Sequence, residues 1–149
     1  MGDESSRMLF SVKGFVFAIE VGYLLEVAEI SAERISFCEE GLFSYKFDFR
    51  GNAIPVVDMA RRVCGIPTPL TGLLQLLVVE IDSHPFALVV DKVLEVVKGA
   101  GTVYRFPEML RNEENSYIKA IYRLNDTLYL VLGPALVLKD DEAVELRAS

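Results

Sequence analysis

The sequence predicts a mainly β protein made of two related units that pack together. Most apolar segments are short, rich in Val, Ile, Phe and Tyr, and separated by turn residues, which is typical of many short strands. The chain also matches itself twice in the same order, at similar offsets. FAIEVGYLLEV (17–27) aligns with FALVVDKVLEV (86–96), and FDFRGNAIPVVD (47–58) lies over IYRLNDTLYLVL (121–132), turn on turn. Each unit alone is too small to bury much surface, so the two units, joined near 65–72, are expected to pack.

The first half predicts two hairpins. MLFSV and FVFAIEV, separated by Lys-Gly, indicate an opening hairpin. YKFDF alternates aromatic and polar side chains, so we expect a strand with one buried face. The RGN stretch predicts a tight turn, in which Gly51 and Asn52 can take positive φ. AIPVVDM is the returning strand, and Pro55 predicts an edge position or a place where no ladder donor is needed.

A short helix and a linker follow the second hairpin. ARRVC predicts one or two helical turns that Asp58 caps and Gly65 ends. IPTPLTG, with two prolines, is typical of a linker. We therefore place approximate subdomains at 7–72 and 73–138 of a single domain spanning 1–149.

The second half repeats the pattern of strands and turns. LLQLLVVEI and FALVV predict a pair of strands around the turn DSHP, and DKVLEVV could continue into a short helix. YIKAIYRL and TLYLVL, separated by Asn-Asp, predict another hairpin. DEAVELR predicts a short helix within the tail, 139–149.

The composition excludes several classes of function. The chain has 149 residues, 52% of them hydrophobic, and a formal net charge of -7 without any basic run, which argues against a nucleic-acid partner. Its longest apolar runs are far shorter than the about 20 residues that span a bilayer, so no direct membrane insertion is expected. The acidic, polar N-terminal stretch is not typical of a secretory signal. The sequence therefore predicts a cytoplasmic protein.

The residue types that usually carry catalysis are not arranged as a site. The single histidine, His84, lies in the DSHP turn, and Cys38 and Cys64 are far apart, which predicts free thiols rather than a metal or redox pair. No nucleophile elbow and no Gly-rich phosphate loop is present. We expect no catalytic residue, no metal and no cofactor, so the pattern favours a binding module over an enzyme.

Two features point to contacts with a partner. Glu26 and Glu95 occupy equivalent positions of the repeat, each within Leu-Glu-Val. Each of the two is either a charge on a helix surface or a contact with a partner. Arg50 stands at the predicted hairpin tip. It is either a solubilising turn residue or an interface anchor, since arginine pairs carboxylates through its planar fork.

Three segments together resemble a known family. FDFRGNAIPVVDM, ALVVDKVLEV and YIKAIYRLNDTLYLVL are similar, in order and spacing, to the hallmark segments of the CheW-like domain, and the resemblance runs from about residue 7 to 138. The resemblance implies two packed five-stranded SH3-like β-barrel subdomains with short helices, over a shared apolar core. That architecture agrees with the two repeated units.

The resemblance also implies a function and a set of partners. Members of the family are non-catalytic adaptors that couple chemoreceptor signalling tips to the regulatory domain of a CheA-type histidine kinase, in arrays under the cytoplasmic membrane. Barrel ends pair with the kinase, and a groove between the barrels takes the receptor hairpin. By motif match, the partner-binding residues of this chain are Arg50, Gly51, Leu24 and Glu26, and Asn52 completes the predicted set.

The chain departs from the family pattern at several positions. Tyr45 and Ala120 stand where the family usually has glycine, Asp48 where it often has asparagine, and Gly133 where it usually has aspartate. SFCEEGLFSYK replaces the usual proline-containing stretch. We therefore keep an alternative: a divergent member that serves as a small-ligand or regulatory sensor in another two-component pathway.

The cue for that alternative is a set of large apolar residues near the first hairpin: Phe43, Tyr45, Phe47 and Phe49. Aromatic side chains at alternate strand positions also fill an ordinary core. Their burial decides between a ligand cavity and core packing.

Overall fold

The computed structural model describes residues 6–99 and 101–148, and this part of the chain is mainly β. The strands are β1 Ser6–Val12, β2 Phe15–Glu20, β3 Leu24–Ser31, β4 Ile35–Phe37, β5 Tyr45–Phe49, β6 Asn52–Asp58, β7 Leu73–Ile81, β8 His84–Val90, β9 Lys92–Lys98, β10 Thr102–Arg105, β11 Ile118–Leu124 and β12 Thr127–Leu132. The helices are α1 Met59–Cys64, α2 Pro134–Val137 and α3 Asp140–Ala148, with short 3-10 turns at Val21–Tyr23, Ala32–Arg34, Glu108–Leu110 and Glu113–Asn115. None of the helices in the described ranges is long and apolar enough to cross a membrane.

The strands form two sheets of the same design. Sheet one has the order β10-β11-β12-β2-β1-β9, and sheet two has the order β4-β5-β6-β8-β7-β3. Within the described residues each sheet has six strands, where the resemblance implies five, because the short strands β4 and β10 extend one edge of each. Each sheet also contains a parallel pair, β12 with β2 and β6 with β8. The repeat seen in the sequence is therefore a repeat of sheet topology.

The repeated segments 17–27 and 86–96, which end in Leu-Glu-Val, carry the chain from one sheet to the other. The first runs from β2 in sheet one into β3, which pairs with β7 in sheet two. The second runs from β8 in sheet two into β9, which pairs with β1 in sheet one. Sheet two thus takes its strands from 24–90, and sheet one from 6–20 and 92–132. The sheets do not coincide with the sequence halves 7–72 and 73–138. The first half supplies β1 and β2 to sheet one and β3 to β6 to sheet two, and the second half supplies β7 and β8 to sheet two and β9 to β12 to sheet one.

The pairing of the strands also corrects the alignment of the two hairpins. Val131 pairs with Ala18 in sheet one, and Val56 pairs with Ala87 in sheet two. Since Ala18 corresponds to Ala87 in the repeat, Val56 corresponds to Val131, one residue away from the ungapped alignment. Arg50, in the first hairpin turn, therefore corresponds to Asn125 in the second.

Most of the predicted elements are confirmed. The hairpins β1–β2, β5–β6, β7–β8 and β11–β12 are antiparallel pairs, and α3 closes the described chain. β6 is an inner strand between β5 and β8, so the expected edge position of Pro55 is wrong. Pro55 lies opposite Lys46 of β5 and just before the residues of β6 that pair with β8, so it interrupts no pairing with β8. His84 begins β8 rather than lying in the turn, where Asp82 and Ser83 take positive φ.

The short helix considered for DKVLEVV is wrong, because this segment forms strand β9. Its β-branched valines favour an extended chain, and hydrogen bonds hold both sides of its start. Asp91 Oδ2 accepts from the Lys13 amide at 2.6 Å, and the Val93 amide donates to Gln75 Oε1 at 2.6 Å. These contacts tie the crossing point to β7 and to the β1–β2 turn.

Buried apolar residues form three clusters. The largest lies between the sheets and joins Phe10 and Phe17 of sheet one to Leu77 and Phe86 of sheet two. A second cluster belongs to sheet two. A third and smaller one belongs to sheet one, and its residues are Leu9, Ala18, Ala120, Tyr122 and Val131. Because burial of apolar surface is the main stabilising force, the shared cluster holds the two sheets in one body.

Candidate interaction surface

The tip of the first hairpin is a tight turn with an unusual backbone. Arg50 and Gly51 have φ of 53° and 84°, the pair of positive values that a type I′ hairpin turn requires. A Cβ at Gly51 would meet no other atom, so glycine is suited to this position by its backbone freedom alone. The expectation that Asn52 takes positive φ is wrong: Asn52 pairs with Phe49 as the first residue of β6. Both Gly51 and Asn52 are exposed.

The side chain of Arg50 is held in place but remains accessible. Its guanidinium carbon lies 4.6 Å from the centroid of the Phe49 ring, and its Nη2 lies 3.9 Å from Glu26 Oε1. The Arg50 and Glu26 side chains are 65% and 43% exposed. An ion pair this exposed contributes about 0.2–1 kcal/mol. Both charges therefore stay available to a partner, with little stability lost when they exchange partners.

The contact between Arg50 and Glu26 also shows how far sheet two curls. Glu26 is on β3, at one edge of the sheet, and three strands separate β3 from β5, whose end carries the turn. Side chains from such distant positions can meet only where the sheet bends back on itself. The fold thus brings together two predicted partner residues that are far apart in the sheet.

A bulge in β3 sorts three consecutive residues into three environments. The register with β7 shifts between Leu24 and Glu26. Leu24 packs against the shared cluster, Leu25 packs against the cluster of sheet two, and Glu26 is exposed. Bulges re-aim side chains in this way. Leu24 is therefore half-buried and mainly a packing residue, whereas Glu26 belongs to the surface.

The second hairpin tip lacks this arrangement. Asn125 and Asp126 occupy the turn. Asn125 is neutral and Asp126 has the same sign of charge as Glu95, the counterpart of Glu26, so neither can form an ion pair with it. Glu95 is exposed on strand β9, so the helix-surface interpretation of this residue is wrong. Within residues 6–99 and 101–148, an aromatic-stacked arginine facing a carboxylate therefore occurs at the first of the two equivalent tips and not at the second.

The other end of the β5–β6 hairpin is fixed by Asp58. Its Oδ1 accepts from the Ala60 amide at 3.1 Å and from the Thr68 hydroxyl at 2.7 Å, and its Oδ2 accepts from the Thr68 amide at 2.6 Å. The first bond is the predicted helix cap, and Gly65, with φ of 74°, ends α1 as expected. The two bonds to Thr68 were not foreseen and tie the linker to the helix.

A cleft of about 870 Å³ opens beside α1, at this Asp58 end of the hairpin. None of the five predicted partner residues lines it. The loop before β5, the linker after α1, the turn at Glu113–Asn115 and α2 complete its walls. The hairpin tip and the cleft are thus two separate surfaces.

The aromatic residues near the first hairpin are mostly core residues. Phe43 belongs to the shared cluster, and Phe47 and Phe49 belong to the cluster of sheet two, each 3–6% exposed. Tyr45 is half-buried, stacks edge-on against Phe37 and lines the cleft beside Phe43. Core packing therefore accounts for most of the apolar character that suggested a ligand cavity.

Two ionisable groups around the start of β11 have shifted pKa values. Burial raises the pKa of Tyr117, and the nearby Cys64 thiol adds to the rise. The pKa of Lys119 is also raised, first by its hydrogen bond to Glu20, which measures 2.8 Å. Cys38 and Cys64 are free, and no group of three or more potential metal ligands occurs in the described ranges.

Fold and surface define a class: a mainly β protein whose two topologically equivalent sheets share one core and whose charged tip is open to a partner. The profile of the CheW-like domain matches residues 7–142, so the chain belongs to the CheW-like domain family. The crystal structure of the scaffolding protein TtCheW from Thermoanaerobacter tengcongensis is similar, with a TM-score of 0.78 and 18% identity over 94% of this chain and 97% of that one. At this identity the likeness shows the fold alone. A search of curated proteins gives no match.

Proposed function

We propose that this protein is a non-catalytic adaptor of chemotaxis-type signal transduction that couples chemoreceptors to a CheA-type histidine kinase. It acts in the cytoplasm, at membrane-associated receptor arrays. Membership of the CheW-like family supports this role, as does the description of the structurally similar TtCheW as a scaffolding protein.

The observation that carries the proposal is the hairpin tip. Arg50, on the turn, and Glu26, on β3, present opposite charges side by side, and Gly51 and Asn52 next to Arg50 are open to solvent. An arginine restrained by an aromatic ring loses little conformational freedom on binding, and arginine is enriched at interface hot spots. We assign partner binding to Arg50, Gly51, Glu26 and Asn52, with Leu24 supporting the strand beneath them.

The direct test is binding of the purified protein to a CheA regulatory domain and to a receptor signalling tip, each measured by calorimetry and by pull-down. We expect a saturable complex with both partners. Protein that is folded by circular dichroism yet binds neither would rule out the adaptor role.

The sensor alternative has weaker support. Three of the four aromatic residues that suggested it are core residues, and only Phe43 and Tyr45 reach the cleft. Thermal-shift screening against metabolites checks it: stabilisation by a small molecule, together with no binding to the kinase domain, would favour a sensor over an adaptor.

A further inference from the structure

We propose that the cleft beside α1 is a second protein-binding site, which takes a segment of a partner that carries an acidic and a basic side chain on either side of an apolar one. The site lies at the opposite end of the β5–β6 hairpin from Arg50, so this inference goes beyond the proposed adaptor surface and does not depend on it.

The cleft has an apolar floor and an open apolar rim. Phe43, Val57 and Val137, all buried in the shared cluster, form part of its floor. Leu42 and Leu136 line the cleft and are 48% and 43% exposed. Apolar side chains left partly in water beside a concave surface are typical of a docking site for an apolar side chain.

Charges of both signs surround this apolar floor. Arg61 and Lys139 supply positive charge, and Glu113 and Glu114 supply negative charge from the turn that packs against α1. Within the described ranges these four side chains make no hydrogen bond or ion pair. They are available to an incoming partner.

The other charged groups of the cleft are already occupied. Arg62 donates to both carboxylate oxygens of Glu142, at 2.5 and 2.6 Å, and Asp58 accepts three hydrogen bonds, one from Ala60 and two from Thr68. The free charges are therefore two cations and two anions. A ligand with a single sign of charge would meet a like charge in the cleft, whereas a segment with both signs can pair each one.

Two tyrosines offer hydrogen bonds to the backbone of such a segment. Tyr45 and Tyr117 are half-buried and line the cleft, and neither hydroxyl has a hydrogen-bond partner among the described residues. Because burial raises the pKa of Tyr117, its hydroxyl keeps its proton and can donate to a peptide carbonyl.

Helix α3 holds the walls of the cleft in position. Both carboxylate oxygens of Glu145 accept from the Leu42 amide, at 3.1 and 2.9 Å, and Glu142 holds Arg62 of α1. The loop before β5, where the sequence leaves the family pattern, is thus fixed to the C-terminal helix. A site whose walls are held in this way binds with a smaller loss of conformational entropy.

The test uses three synthetic amphipathic peptides of about 12 residues with one shared leucine face. One is flanked by glutamate at one end and lysine at the other, one by glutamates only, and one by lysines only. Titration of the isotope-labelled full chain, followed by amide NMR, reports affinity and location. We expect the mixed peptide to shift the amides of Tyr45, Cys64 and Tyr117, with a Kd about fivefold or more lower than either single-sign peptide.

Arg61→Glu is expected to weaken the mixed peptide about fivefold and to turn the preference toward the lysine-only peptide. Arg105→Glu is the matched control, because Arg105 is exposed on β10 outside the cleft and its side chain makes no hydrogen bond or ion pair within the described residues. It should leave all three affinities unchanged.

Leu136→Ser tests the apolar rim, with Leu128→Ser, 61% exposed on β12, as its control. Only the first is expected to lower the affinity of the mixed peptide. Equal affinities for the three peptides, shifts located away from the cleft, or stabilisation by a metabolite without peptide binding would each overturn the proposal. Binding to the kinase domain and receptor tip is measured separately, so failure here leaves the adaptor role standing.

Discussion

The two hairpin tips occupy the same place in two equivalent sheets, yet among the residues that the structure describes only the first tip carries a charged pair. Arg50 stacks on Phe49 and faces Glu26, whereas its counterpart is Asn125, whose neutral side chain cannot form an ion pair with Glu95. Since topology is common to both tips, topology alone cannot explain a partner site. The fold thus supplies two similar turns, and the partner site that we propose depends on the side chains that the first turn carries.

The interiors of the two sheets also differ in the side chains at equivalent positions. In sheet two, Phe47 and Leu76 are buried in an apolar cluster. The corresponding pair in sheet one is Tyr122 and Arg7, with the buried Arg7 guanidinium 4.3 Å from the ring centroid of Tyr122. The buried apolar cluster of sheet two is accordingly larger than that of sheet one.

The largest expected effect comes from removing a buried ring from the apolar cluster of sheet two. Phe47→Ala should lower the free energy of unfolding by about 3–5 kcal/mol, because it removes a large buried ring and leaves a cavity. Chemical denaturation measures the change. A loss below about 1 kcal/mol would mean that sheet two does not depend on this cluster.

Its counterpart in sheet one sharpens the contrast. The buried Tyr122 hydroxyl has no hydrogen-bond partner among the described residues. Tyr122→Phe should therefore leave stability unchanged or slightly raised, since an unsatisfied buried polar group is costly.

The next effect concerns the tight packing of sheet one. A Cβ at Gly101 would collide with the Tyr122 ring and with the carbonyl oxygen of Arg123. Gly101→Ala should cost about 1–3 kcal/mol by overpacking. Gly22→Ala, where a Cβ meets nothing and φ is ordinary, is the control and should stay within about 0.5 kcal/mol. Equal melting temperatures for the two variants would show that the collision is relieved without cost.

A smaller effect separates the helices that follow the two hairpins. Asp58 caps α1 and also binds Thr68, whereas its counterpart Gly133 precedes α2 without a side-chain cap. Asp58→Ala should cost about 1–2 kcal/mol, measured by thermal unfolding. Thr68→Val, which removes only the hydroxyl, should lower the stability less than Asp58→Ala does. An equal loss would mean that Asp58 stabilises the fold through the linker and not through the helix cap.

Much of the fold could be predicted from particular residues. Alternating strands and turn residues gave the four hairpins, and Asp58 and Gly65 gave the bounds of α1. The exchange of β3 and β9 between the sheets could not be read from the chain, because pairing with β7 and β1 is a long-range property. DKVLEVV, which was considered as a short helix, forms a strand because β1 lies beside it and its valines favour an extended chain.

The candidate site was predictable in part. The tight turn and its charge were visible in the residues around Arg50, but the contact with Glu26 depends on the curl of sheet two. The cleft left no clear signal, because its walls come from segments far apart in sequence. The structure gives a physical reason for glycine at position 133, where the family usually has aspartate: a Cβ there would press on Leu136 and Lys119.

Only a small effect on stability is expected at the tip itself. Arg50→Ala should change the free energy of unfolding by no more than about 0.5 kcal/mol, because the side chain is exposed and its ion pair is long. Urea denaturation beside the parent protein measures it. A loss of 2 kcal/mol or more would make Arg50 a structural residue.

The most direct test of the central claim compares two arginines that each stack on an aromatic ring at the surface. Arg50 lies over Phe49 at the first tip, and Arg123 lies over Tyr104, 5.8 Å from its ring centroid, near the second. Calorimetry with a CheA regulatory domain and a receptor tip should show that Arg50→Ala weakens binding to at least one partner by about 1 kcal/mol or more, while Arg123→Ala binds as the parent does. Equal affinities for the two folded variants would contradict the assignment of the partner site to the first hairpin tip.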